Sequence, residues 1–180
     1  MNLKLIFAAC CGGALLMSSC SVADKQSDTD YASMVNLFIG TGGHGHTFPG
    51  AVVPHGLIQP SPDTRIDGWD ACSGYYYADS TMNGFSQNHL SGTGCADFGD
   101  FLIMPTVGEQ VCDPQDFTSQ SLPFASGFSH KNEVAEPGYY SVLLDRYNVK
   151  AEITSTARAA IYRFTYPDAE DAGLILDLDY

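Results

Sequence analysis

Apolar and polar positions alternate with period two over much of the second half of the chain, the pattern of strands buried on one face. In Tyr139–Leu144 the apolar face is Tyr140, Val142 and Leu144; in Val149–Ser155 it is Val149, Ala151 and Ile153. Asp145-Arg146-Tyr147-Asn148 lies between them as a turn, so the two segments predict one long antiparallel hairpin. Ala159–Tyr166, closed by Pro167-Asp168, and Leu174–Leu178 predict two further strands. The run Phe101-Leu102-Ile103-Met104 within Asp100–Pro105 predicts a core strand.

The first half is more broken. Met34–Ile39 is apolar enough for a buried strand, ended by Gly40-Thr41-Gly42-Gly43. Val52-Val53 and Leu57-Ile58 straddle Pro54, and Pro60 and Pro62 follow. Proline donates no ladder hydrogen bond, so this stretch predicts an edge strand or an extended loop. Gly74–Tyr77 and Met82–Phe85 are expected to pair around Ala78–Thr81. There is no internal repeat, no heptad and no long amphipathic helix. Glycine and proline punctuate short segments rich in aromatic and β-branched residues, which predicts a mainly β fold: an antiparallel sandwich or barrel with few or no long helices.

The start of the chain is different. An apolar run after Met-Asn-Leu-Lys has the length of a signal peptide, and Leu16-Met17-Ser18-Ser19-Cys20 resembles a bacterial lipobox. Residues 1–20 are therefore expected to be a lipoprotein signal, with Cys20 as the lipidated residue; an ordinary signal peptide is the alternative. The polar residues 21–32 read as a flexible tether, and residues 33–180 as the folded domain. This places the protein in the bacterial cell envelope, on the periplasmic face or the cell surface, touching the membrane through its lipid anchor only.

The full chain has 180 residues, enough for one domain, and a formal charge of −13. Phosphate backbones need clustered Lys and Arg, so nucleic acid is excluded as a partner. Neutral sugars and cations such as Ca²⁺ stay permitted. Of six cysteines, removal of the signal region leaves Cys72, Cys95 and Cys112. Export permits disulfides. Cys72 and Cys95 flank the motif-rich segment and form the preferred pair; three reduced thiols are the equal alternative.

Four segments carry candidate chemistry. Gly40–Gly50 is glycine-rich and holds His44 and His46. No Gly-Lys-Ser/Thr follows, which excludes a nucleotide P-loop. The alternate spacing puts both imidazoles on one face, but the segment offers no third metal ligand. Asp67–Tyr77 holds the single tryptophan, Trp69, between Asp67 and Asp70. An indole stacks on the C–H face of a pyranose while carboxylates accept hydroxyl hydrogens, so Trp69 with Asp70 reads as a sugar contact or as a core tryptophan beside solvated acids. Gly84–Asp100 holds His89, Ser91 and Asp97, whose order and spacing do not fit a nucleophile elbow. A glycine loop dense in hydroxyl, amide and imidazole suits polyol recognition better. Asp97 and Asp100 as an acid/base pair is disfavoured, because Asp100 runs straight into a core strand. In the last segment, Glu152 and Arg158 are expected to form a structural salt bridge at a sheet corner.

Taken together, NLFIGTGGHGHTFPGAVVPHGLIQPSPDT, CSGYYYADSTMNGFSQNHLSGTG with GDFLIMP, and EPGYYSVLLDRYNVKAEITSTARAAIYRFTYP resemble the N-terminal domain of glycoside hydrolase family 92, in order, from about Val35 to Asp179. The resemblance implies a Ca²⁺-dependent, inverting exo-α-mannosidase acting on mannose-containing glycans. It implies a β-sandwich packed on a larger α/α-barrel domain, with the active site at the junction. The acid, the base and most Ca²⁺ ligands would come from the barrel, so no catalytic residue is expected in this chain. The sandwich would supply part of the mannose pocket: Trp69 and Asp70, with Gly92, Thr93 and Gly94 along the wall and His89 and Ser91 beside them; Asn88 would contact sugar or hold the loop. The sequence stops at Tyr180 directly after a strand and reads as truncated before the catalytic domain. Such a piece is expected to bind weakly, to turn nothing over and to expose an apolar face prone to association. The alternative is a stand-alone carbohydrate-binding surface lipoprotein.

Overall fold

The hairpin forms as the alternation predicts. In the computed structural model, which describes residues 29–92, 94, 99–110, 121–178 and 180, Tyr139–Leu144 pairs antiparallel with Val149–Ser155, from Tyr139 opposite Thr154 to Leu144 opposite Val149. Asn148 turns the chain with a left-handed backbone, φ 50°, a conformation that asparagine tolerates. Tyr140, Val142, Leu144, Val149, Ala151 and Ile153 are all at most 1% exposed.

The described strands, in chain order, are β1 (Ser61–Asp63), β2 (Thr81–Met82), β3 (Gly84–Asn88), β4 (Gly99–Val107), β5 (Ser126–Gly127), β6 (Glu133–Glu136), β7 (Tyr139–Leu144), β8 (Val149–Ser155), β9 (Ala160–Thr165) and β10 (Ala172–Asp177). They form an antiparallel sheet ordered β1-β3-β4-β10, a second ordered β6-β7-β8-β9, and a small β2-β5 pair. The helical pieces among the described residues are single 3₁₀ turns. One hydrophobic cluster joins the two large sheets, with Phe85, Leu102 and Met104 from the first against Tyr140, Val142 and Ile153 from the second. The architecture is the expected antiparallel β-sandwich.

Pro62 sits in β1 at the sheet edge, where a missing N–H does no harm. β4 covers the predicted Asp100–Pro105 strand, with Leu102 and Met104 fully buried. β9 and β10 correspond to the last two predicted strands. Leu174 and Leu176 on β10, and Leu178 just after it, follow the period-two rule outward and are 56%, 55% and 71% exposed.

Three expectations fail. Met34–Ile39 is not a buried strand: Met34 and Ile39 are both 73% exposed. The Asn36 side chain accepts from the Phe38 N–H at 3.0 Å, and Ile39 and Thr41 close back-to-back turns on Asn36 and Phe38. Those local bonds win over apolar composition, and only Phe38 packs inward, against the core. Gly74–Tyr77 does not pair with Met82–Phe85. Gly74 has φ +81°, and the Gly74 carbonyl and Tyr76 N–H are taken by Thr64. Glu152 is bound by Arg163 at 2.7 and 2.8 Å instead of Arg158, because β8–β9 pairing sets Glu152 directly opposite Arg163.

Candidate functional site

Trp69 stands on a 3₁₀ turn, Trp69–Ala71, entered through Gly68 at φ 112°, a conformation only glycine adopts freely. Ala71 and Cys72 are buried and anchor the turn, while Trp69 is 57% exposed. An indole left this open is unusual for a residue with so much apolar surface. Asp70 beside it accepts from His44 Nδ1 at 2.5 Å.

Two other loops close around the indole. His46 stands with its ring perpendicular to that of Trp69, centroids 4.4 Å apart, and His44 is tilted at 5.2 Å. Gly94 comes so close that an added Cβ would sit 2.6 Å from Trp69 Nε1. A side chain there would have to push the indole aside. The loops are tied to one another by the Gly92 N–H donating to the His46 carbonyl at 2.7 Å and Ser73 Oγ donating to the Leu90 carbonyl at 2.7 Å. Trp69, Asp70, Gly92 and Gly94 therefore share one surface, with Ser91 exposed on the same loop. Thr93 lies outside the described residues.

His89 stands behind this surface, 4% exposed. Its Nε2 meets Asp63 Oδ1 at 2.8 Å and Ser86 Oγ at 3.0 Å; its Nδ1 meets the Gln59 carbonyl at 2.9 Å. Asp63 Oδ2 accepts from the Ser86 N–H at 2.9 Å. Burial of the ring opposes its charge, but the Asp63 carboxylate and the Gln59 carbonyl outweigh that and raise the His89 pKa above the ordinary histidine value. The cluster has the group types of a hydrolase triad without the relay. Serine and aspartate share one nitrogen, and the other is held by a backbone carbonyl, so no proton path runs from Ser86 through the ring to Asp63. Its physical role is to pin the end of β3 where the Leu90–Gly94 loop begins. Gly74 makes room for it, since a Cβ there would lie 2.0 Å from Asp63 Oδ1.

Sequence reasoning paired His89 with Ser91 and Asp97 as a weighed triad; its partners are Ser86 and Asp63, and Asp97 is outside the described residues. Asn88 donates to Asp100 Oδ2 and accepts from the Gln59 N–H at 3.3 Å, which holds the loop base. No composition or spacing signal pointed to Asp63. His44 and His46 were flagged, and both rings stand against Trp69. Among the described residues no three His, Cys, Asp or Glu side chains gather as a metal site, so the described residues do not fit a Ca²⁺ centre. Cys72 is buried; Cys20, Cys95 and Cys112, and with them the lipidation and disulfide expectations, lie outside the described residues. No described helix is long and apolar enough to cross a membrane.

Comparison with known proteins places the chain among the glycoside hydrolases. It resembles the α-mannosidase BT3965 of Bacteroides thetaiotaomicron, solved in complex with mannoimidazole, at 45% identity and a TM-score of 0.75, over 82% of this chain and 20% of that one. It resembles the inverting mannosidase BT2199 of the same organism at 30% identity and a TM-score of 0.63, over 81% of this chain and 19% of that one. A curated relative, called an uncharacterized secreted glycosidase, from Arthroderma benhamiae is 32% identical over 82% of this chain and 19% of its own length. The sequence model of the glycosyl hydrolase family 92 N-terminal domain matches residues 34–180. The chain belongs to glycoside hydrolase family 92 and carries its N-terminal domain. It spans about a fifth of the length of these relatives.

Proposed function

We propose that the chain forms one wall of the terminal-mannose pocket of an inverting, Ca²⁺-dependent exo-α-mannosidase, and that it binds α-mannosides without hydrolysing them by itself. The observation that supports this most is the open indole of Trp69, 57% exposed, with Asp70 at its side and the Gly94 backbone close to its Nε1. The indole face offers a platform for the C–H face of a mannose ring. Asp70 and the exposed backbone of the glycine loop supply acceptors and donors for hydroxyls, and Ser91 adds a hydroxyl. His89 acts from behind by fixing the loop. Inversion needs an acid and a base on opposite sides of the sugar, roughly 6.5–9.5 Å apart. The residues on this wall do not supply that pair. The reading assigns the acid, the base and most of the calcium ligands to the family's α/α-barrel domain. What this wall contributes to the reaction is position: a held ring keeps its anomeric carbon in line for water. Export with a lipid on Cys20 is the accompanying proposal for location.

Trp69 is the single tryptophan of the chain, so its emission reports the site directly. Titration of the purified chain with methyl α-mannoside should change that emission saturably, with a Kd on the order of 1–10 mM for a one-walled site. Asp70→Ala should weaken the response at least severalfold. No mannoside-dependent change would remove the sugar wall, and turnover of an aryl α-mannoside by this chain would remove the division of labour.

A further inference from the structure

Three independent features meet at His46. Its backbone is left-handed, φ 53°, a region uncommon for residues with a side chain and concentrated at functional sites. The mount is rigid. Gly45 passes so near Gly40 that a Cβ would lie 2.1 Å from the Gly40 carbonyl oxygen, the Thr47 N–H donates to that oxygen at 3.3 Å, and Thr47 Oγ1 donates to the Ile39 carbonyl at 2.9 Å. Second, the ring is buried and its Nε2 has no hydrogen-bond partner. Folded proteins rarely leave such an atom unsatisfied. Third, the ring stands at 89° to the Trp69 indole with centroids 4.4 Å apart. That edge-to-face approach lets a positive N–H or C–H edge meet a π-face.

We propose that His46 is a positioning residue that fixes the plane of the Trp69 indole, an inference that rests on Trp69 being the sugar platform. A tryptophan on an open surface turn otherwise changes rotamer on the picosecond-to-nanosecond scale. Of its described ring neighbours, His44 is itself a surface group, its side chain 74% exposed, and Gly94 offers only backbone. His46 is the buried ring of the two, and its own carbonyl is tied to the Gly92 N–H at 2.7 Å. Holding the indole before the sugar arrives removes an ordering cost from binding.

The test reads the indole first and the sugar second, on the full chain. His46→Asn keeps a residue suited to the left-handed backbone and deletes the ring; His46→Phe keeps a flat ring and deletes the nitrogens. In time-resolved anisotropy without sugar, the Asn variant should roughly double the amplitude of fast indole motion. Its affinity for methyl α-mannoside should fall roughly 2- to 10-fold, the cost of ordering one side chain. The Phe variant should recover most of both. Unchanged indole motion in the Asn variant overturns the proposal, whatever the sugar does. Unfolding of the Asn variant together with His46→Gly would assign His46 to the fold and overturns it too. If the motion responds but the parent chain ignores mannoside, the brace stands and the sugar wall falls.

Discussion

In the β6-β7-β8-β9 sheet, the buried positions of the central hairpin include Val142, Leu144, Val149, Ala151 and Ile153, side chains that ask only to leave water. In the β1-β3-β4-β10 sheet they include Ser61, Asp63, Ser86 and, at the end of β3, His89. The apolar face of that hairpin is held by a force without direction, roughly proportional to the apolar area removed, while β6 of the same sheet buries Glu133 under bonds from Tyr75 and Tyr140. The β1-β3-β4-β10 sheet accepts the desolvation of an ion pair, which stabilises little or nothing net against an apolar replacement. What the pair supplies is direction. It sits where the chain leaves β3 for the Leu90–Gly94 loop, and Trp69 packs on that loop. The difference teaches that the site is aimed from below by polar bonds, on a frame that the apolar hairpin makes stable.

The sharpest test of that contrast removes one partner of the pair. Asp63→Ala leaves His89 buried without its carboxylate and should cost about 3–5 kcal/mol, read by urea denaturation. Ile153→Val, at a position 1% exposed in the other sheet, should cost about 0.5–1.5 kcal/mol. The two should also differ in kind: at low denaturant, Trp69 emission should shift in the first variant and stay put in the second. Equal shifts in both would break the comparison.

Smaller effects come from pH. His89 has a raised pKa in the fold, so its contribution is complete below the unfolded value of about 6.5 and is lost as pH climbs through the folded value. Glu152, held by Arg163 and then by Tyr139, is lowered to about 2. Its contribution is complete above the unfolded value of about 4.3 and disappears as pH drops toward 2. Stability should therefore be greatest between roughly pH 4.5 and 6.5. The alkaline loss should be less than that of Asp63→Ala, because Asp63 keeps its bond from the Ser86 N–H. It should vanish in a His89→Phe background, and an alkaline slope that survives there would show that another group drives it.

The same contrast explains what could be read from the sequence. Tyr139–Leu144 and Val149–Ser155 were legible because period-two alternation is a direct image of one-sided burial. Met34–Ile39 misled because an asparagine side chain turned the chain before its apolar residues could pair. Trp69, Asp70 and the glycine loop were found through their residue types, and the structure brings their described members together. Asp63 was invisible: it is a buried charge in a three-residue strand after a proline, and its partner is 26 positions away. Long-range polar pairs leave no period in a sequence, and they are what orients this site.

The smallest expected effect on stability is on the outer face of the β1-β3-β4-β10 sheet. Leu174 and Leu176 point outward from β10, with Leu178 exposed just beyond its end, and the register sets Leu174 opposite Pro105 and Leu176 opposite Ile103. These leucines give up little water contact on folding, so replacing them should barely move the unfolding midpoint. Each of Leu174→Ser and Leu176→Ser should change stability by no more than about 0.5 kcal/mol. Association is another matter, because a contiguous apolar row is a surface that sticks. Light scattering across a concentration series should show the parent chain gaining mass and the double variant remaining closer to a monomer. A double variant that loses stability as a core substitution does would mean that the row is already covered within the chain. One that associates as strongly as the parent would move the sticky surface elsewhere, with the exposed Met34 and Ile39 as the next place to cut.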